Sequence, residues 1–191
     1  MIISVIGTQC IGKSTFIKDF ITTCPKFTIP EIDYRNVIEK NNLKLNRQGD
    51  HRSQQFLFDF MKDQVLELAK DQDKFYIVDR SLVDVVAYSM WLYDNRPEVF
   101  TEDQICEMIV DMQKYVNVYK YLIYIPLAMC NDVIVEDDKF RDTNVEYRKN
   151  IDSNFKYILD TYYTDLPPII EVFGNRTERI EMLQKNCPNI F

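Results

Sequence analysis

The chain has 191 residues and a net charge of −7, from 30 acidic and 23 basic side chains. Hydrophobic residues make up 46%, with 12 Phe and 12 Tyr among them, which is ample apolar surface for a core and excludes long disorder. The acidic balance disfavours a protein that lives on nucleic-acid backbone, and the apolar runs are too short and too often interrupted to span a membrane.

Ile2–Ile6 reads as a buried strand rather than a leader peptide, because no basic residue precedes it. Lys13–Thr23 has helical spacing (Phe16, Ile17, Phe20, Ile21) and stops before Pro25. Phe27–Ile29 is a second strand, ended by Pro30, and Asp33–Asn41 is helical. Asn42–Asp50 is a polar loop. A long helix runs from Arg52 to about Asp71, with Phe56 and Phe60 four apart on its expected core face. Phe75–Val78 is a strand, followed by a helix over Leu82–Tyr93. A break at Asn95-Arg96-Pro97 separates it from a helix over Glu102–Val116. Tyr121–Ile125 is the fourth strand. A charged segment, Glu136–Arg148, leads into a helix ending near Tyr163. Ile169–Phe173 is the fifth strand, and Gly174-Asn175 turns into a last helix, Glu178–Lys185.

Strands alternating with helices imply βαβ units, hence an α/β fold with a parallel sheet and helices on both faces. No linker or repeat divides the chain, so one domain over residues 1–191 is expected. The five cysteines are odd in number, widely spaced and without a C-x-x-C pair, which fits reduced thiols in a cytoplasm rather than a disulfide or zinc framework.

The sharpest signal is Gly7-Thr8-Gln9-Cys10-Ile11-Gly12-Lys13-Ser14, which fits G-x-x-x-x-G-K-[ST] between a strand and a helix. The glycines allow backbone angles that turn consecutive N–H groups around a phosphate, and the helix adds its positive N-terminal dipole. Lys13 reaches the β- and γ-phosphates of ATP. Ser14 offers a hydroxyl to Mg²⁺, a hard ion that takes oxygen ligands. Gly7, Gln9, Gly12, Lys13, Ser14 and Thr15 are therefore the candidate ATP site.

The third strand leads into Asp79-Arg80-Ser81. Ligands of open α/β sheets bind at the C-terminal strand ends, so Asp79 falls beside the phosphate loop if this strand neighbours the first. There Asp79 either orders Mg²⁺ and its waters or holds an acceptor, and Arg80 can pair with a phosphate. The plainer reading makes Asp79 a helix cap and Arg80 a surface pair.

Asp79-Arg80-Ser81 with Ala87-Tyr88-Ser89 resembles the D-R-[YSH] segment of thymidylate kinases and its counterpart in deoxynucleoside kinases. The run Tyr76–Tyr88 is similar to the NadR-type (AAA_28-like) ATPase/kinase family. The resemblance covers most of the chain. It implies a P-loop kinase α/β/α sandwich with a five-stranded parallel sheet in the order 2-3-1-4-5, a helical lid at about 136–150 and, as is common in these kinases, a homodimer. It also implies that Glu31, after the second strand, faces the acceptor as general base or anchor. The plainer alternative makes Glu31 a helix-start acid with Arg35 as its i,i+4 partner. Arg47, His51, Arg52, Gln54 and Gln55 cluster near aromatic residues; Gln54 or Gln55 is suited to a base edge. In the lid, Asp138-x-x-Arg141 resembles the D-x-x-R pattern of this group. Arg141 and Arg148 lie seven apart and are suited to the charge of a transferring phosphoryl group. By the same resemblance Asn175 or Arg176 borders the adenine.

The expected activity is ATP- and Mg²⁺-dependent transfer to a (deoxy)nucleoside monophosphate, like that of a thymidylate kinase. Arg35, Arg47, Arg52 and Arg80 tilt the acceptor toward a phosphorylated one. The alternatives are a nucleoside or ribosylnicotinamide acceptor, a nucleic-acid end or modified base, and a regulatory P-loop ATPase without an acceptor. Membranes are not expected partners.

Overall fold

The computed structural model describes residues 1–32, 34–127 and 142–191. Five strands, β1 (Ile2–Ile6), β2 (Phe27–Thr28), β3 (Phe75–Asp79), β4 (Tyr121–Tyr124) and β5 (Ile169–Glu171), form a parallel sheet in the order β2-β3-β1-β4-β5. The helices are α1 (Lys13–Thr23), α2 (Tyr34–Lys40), α3 (His51–Ala69), α4 (Leu82–Asn95), α5 (Glu102–Tyr115), α6 (Val145–Thr161) and α7 (Arg176–Asn186).

Side chains alternate across the sheet. Ile3 and Val5 of β1, Ile77 of β3 and Ile123 of β4 face one core with Phe16, Phe20 and Leu183 of α1 and α7. Ile2, Ile6, Val78 and Leu122 face the other, shared with α3, α4, α5 and α6. Both faces are covered, so the central strands β1, β3 and β4 are mostly apolar, as buried parallel strands are. Phe20 packs edge-on against Phe27 and Phe191, with centroids 5.1 and 5.7 Å apart. Burying such a ring stabilises by about 2 kcal/mol.

The elements depart from expectation at particular places. The core face of α3 carries Leu57, Phe58, Met61 and Val65 rather than Phe56 and Phe60. Phe56 is exposed, and Phe60 lies edge-on to Tyr34. Asp50 caps α3, its Oδ1 accepting from Ser53 N at 2.9 Å, so the helix begins at His51. β5 stops at Glu171, where its pairing with Tyr124 ends, and α7 starts two residues before the expected Glu178 because Asn175 caps it. α2 is described from Tyr34, and Glu31 lies before it. Residues 136–141 of the expected lid, Arg141 among them, lie outside the described residues; residues 142–144 lead into α6.

Candidate functional site

Val5 pairs with Asp79 across β1 and β3, so Asp79 ends its strand beside the loop that leaves β1. The loop has positive φ at Gly7 (135°), Cys10 (57°) and Gly12 (86°). A Cβ on Gly7 would stand 2.7 Å from the Ile125 carbonyl oxygen, which is main chain and cannot yield. This is the physical reason for a glycine there.

The carbonyls of the loop are tied back one after another. Lys13 Nζ donates to Gly7 O and Thr8 O, both at 2.7 Å. Arg148 on α6 donates from Nε to Gln9 O at 3.3 Å and from Nη2 to Cys10 O at 2.9 Å. Arg179 on α7 donates to Ile11 O at 3.0 Å. Five successive carbonyls thus have cationic donors. That arrangement suits a loop whose N–H groups face an anion.

Lys13 is 6% exposed. Burial pulls its pKa down from 10.5 to about 8, with the nearby Arg80 charge acting in the same direction; Asp79 and Asp84 oppose this. Ser14 Oγ donates to Asp79 Oδ2 at 2.8 Å, while Asp79 Oδ1 is buried without a hydrogen-bond partner among the described residues. A hydroxyl and an adjacent carboxylate with a spare oxygen fit a hard divalent cation, with phosphates and water completing its shell.

Arg80 follows at φ 81°, a left-handed conformation that is unusual for its residue type. Its N donates to Val5 O at 3.0 Å, and its O accepts from Ser4 Oγ at 2.8 Å. Its guanidinium carbon is 5.5 Å from the centroid of the Tyr88 ring, and Nη1 is 3.7 Å from Asp84 Oδ1. Burial opposes the Arg80 charge, but Tyr88, Asp84 and Asp79 outweigh it and raise the pKa. Asp84 is 1% exposed, and burial pushes its carboxyl up to about 6 against the pull of Lys13 and Arg80.

These groups line a cavity of about 630 Å³, within the range of small-molecule sites. Its wall runs from Gln9, Gly12, Lys13, Ser14 and Thr15, past Asp79, Arg80 and Asp84, to Arg35, Gln54, Leu57 and Met61. The structure therefore gathers most of the expected site residues into one cleft. Gln54 is 3% exposed on that wall.

Other candidates are placed elsewhere. Glu31 is exposed and not part of the wall. Arg47 is exposed and pairs with Asp142 Oδ2 at 2.5 Å. Arg148 is buried behind the loop rather than in the cleft. Asn175 Oδ1 accepts from Thr177 N and Glu178 N, both at 3.0 Å, as the cap of α7; Arg176 pairs with Asp19.

Sequence reasoning missed Arg179, Asp84 and the bracing position of Arg148. The motif pattern carries no signal for Arg179, which lies at a separation of 168 residues from its partner Ile11. Gln9 also has a role beyond the motif. Its Oε1 accepts from Thr8 Oγ1 at 2.7 Å and Tyr88 OH at 2.5 Å, and its Nε2 donates to Asp142 O at 3.0 Å.

A family model described as an AAA domain, AAA_28, matches residues 2–179. No curated protein matches by sequence. Among solved structures, thymidylate kinase from Candida albicans is similar at a TM-score of 0.67 and 16% identity, covering 98% of this chain and 91% of that one. Deoxyadenosine kinase from M. mycoides is similar at 0.67 and 17%, covering 99% and 100%. NadR, solved in complex with NR, is similar at 0.67 and 11% identity, covering 96% of this chain but 50% of its own, so this chain spans about half of NadR. At these identities the likeness is one of fold, the P-loop kinase α/β fold.

Proposed function

We propose, for a chain that belongs to the AAA_28 family of AAA domains, an ATP- and Mg²⁺-dependent kinase that phosphorylates a (deoxy)nucleoside monophosphate. The observation that carries the reading is the single cleft. Its phosphate loop and its Ser14–Asp79 pair run without a break into a wall bearing Arg80, Arg35 and Gln54. A site for ATP alone needs no such extension. Solved thymidylate and deoxyadenosine kinases share the fold.

In this reading the loop N–H groups and Lys13 hold the β- and γ-phosphates. Ser14 and Asp79 would hold Mg²⁺, which would supply positive charge beside the phosphates. Arg80 and Arg35 receive the acceptor phosphate, and Gln54 offers its amide to the base. The attacking group is an ionised phosphate oxygen, since the second phosphate pKa is about 6, and it needs no general base. Glu31, exposed and off the wall, is therefore not required.

A nucleoside acceptor is the second reading. Of the four arginines that tilted the acceptor toward a phosphate, Arg35 and Arg80 line the cleft, whereas Arg47 and Arg52 do not. Fewer charges suit a neutral acceptor better.

The test is ADP formation with Mg²⁺ against deoxynucleoside monophosphates, nucleosides, ribosylnicotinamide and a short oligonucleotide, with Lys13→Ala as control. Strong stimulation by one monophosphate is expected. Stimulation by a nucleoside alone selects the second reading. Turnover indifferent to every acceptor moves the protein to the regulatory ATPases.

A further inference from the structure

The helix start at α4 holds a charge that capping does not need. Asp84 Oδ2 accepts from Ser81 N at 2.8 Å and closes a capping box with Ser81. The same job is done at α5 by the neutral Gln104, which accepts from Thr101 N at 2.9 Å. An ionised carboxylate in a buried position is a costly choice for a cap. Its second oxygen, Oδ1, is buried with no hydrogen-bond partner among the described residues, on the wall of the cleft and 3.7 Å from Arg80 Nη1.

Arg80 is already fixed at its main chain by Ser4 Oγ and Val5 O. Its side chain is 35% exposed, against 1% for Asp84. The Tyr88 ring covers one face of the guanidinium and Asp84 Oδ1 stands at its edge. Arg80, flanked by Tyr88 and Asp84, lines the cleft, and a guanidinium has N–H donors beyond those two contacts.

We propose that Asp84 is a positioning residue: its free carboxylate oxygen holds the Arg80 guanidinium against Tyr88 so that Arg80 meets an anionic group on the acceptor. Asp84 thereby sets the preference for a phosphorylated acceptor over a neutral one. The inference rests on the kinase reading above.

The test is a double-mutant cycle on the intact chain, with dTMP and thymidine as paired probes that differ by the phosphate alone. Asp84→Asn keeps an oxygen for the cap and removes the charge. The KM for dTMP is expected to rise about tenfold, the size of a coupling between neighbouring polar groups, with a smaller rise in the KM for ATP because Asp84 also supports the Lys13 charge. In an Arg80→Ala background the same change is expected to have no further effect. An equal effect in that background overturns the inference, because Asp84 then acts without Arg80. Turnover with thymidine but not dTMP also overturns it.

A second measurement needs no acceptor. The Arg80 Nε–Hε resonance of the wild-type protein, identified by its loss in Arg80→Lys, is expected to be ring-shifted and slow to exchange with water. A signal at the position of a free arginine overturns the inference. If no monophosphate is turned over, the acceptor reading fails, and the same resonance in Asp84→Asn still decides the positioning role: loss of its ring shift and protection supports it, and an unchanged signal overturns it.

Discussion

Replacing Arg148 by Met separates a brace from a catalyst. Arg148 is 8% exposed, and its guanidinium donates to Cys10 O at 2.9 Å and Gln9 O at 3.3 Å. A hydrogen bond from a charged group to a buried carbonyl contributes about 1.5–3 kcal/mol, and the longer one belongs at the low end. Met fills a comparable volume, so lost packing adds little. The loss is then about 3–4.5 kcal/mol, and for a chain of this size it should lower the Tm by about 6–18 °C. The two freed carbonyls also release the loop, so the KM for ATP should rise. Differential scanning calorimetry and initial rates over a range of ATP concentrations measure both. An unchanged Tm and ATP KM with a large fall in kcat would refute the brace, because a group acting only in the transition state changes kcat without changing the unliganded fold.

Three further outcomes follow from the same geometry. Lys13→Ala should lose phosphoryl transfer by orders of magnitude while circular dichroism stays that of the native fold; near-normal turnover would remove the phosphate-loop assignment. Folding lowers the Lys13 pKa from 10.5 to about 8, so the unfolded chain binds this proton more tightly. Lys13 therefore opposes stability by ~3 kcal/mol below pH 8, and this penalty fades between pH 8 and 10.5. ATP needs the charged form, so its affinity should fall above pH 8; calorimetry in buffers of different ionisation heat should show proton uptake at pH 9 and none at pH 7. Uptake that is absent in the wild type, or undiminished in Lys13→Ala, contradicts this. Gly7→Ala should weaken ATP binding strongly, since its Cβ meets the Ile125 carbonyl oxygen at 2.7 Å; wild-type affinity in that variant would show that the loop relaxes freely.

Much of the fold is local in its causes, and so it was legible. The apolar runs at β1, β3 and β4, the 3.6-residue spacing of α1, and Pro25 and Pro30 as stops each act within a few residues. The phosphate loop belongs to the same class, because its glycines and its lysine serve one short stretch of backbone. The phase of α3 was not legible. Phe56, Leu57, Phe58 and Phe60 supply apolar side chains in several directions, and the helix turned Leu57 and Phe58 inward because α4 and α5 pack there.

Charged residues were the hardest to place, because an arginine reads alike as a phosphate ligand, a surface pair or a brace. Among the arginines within the described residues, Arg47 was drawn to Asp142, Arg176 to Asp19, and Arg148 and Arg179 to the loop carbonyls. Those partners are 95 to 168 residues away in the chain. Local spacing determined the strands, most helices and the loop that faces a phosphate. Only the tertiary structure decided which cations brace that loop and which reach the cleft, because a charge is assigned by the nearest opposite or polar group in space, and nothing in its neighbouring sequence records that distance.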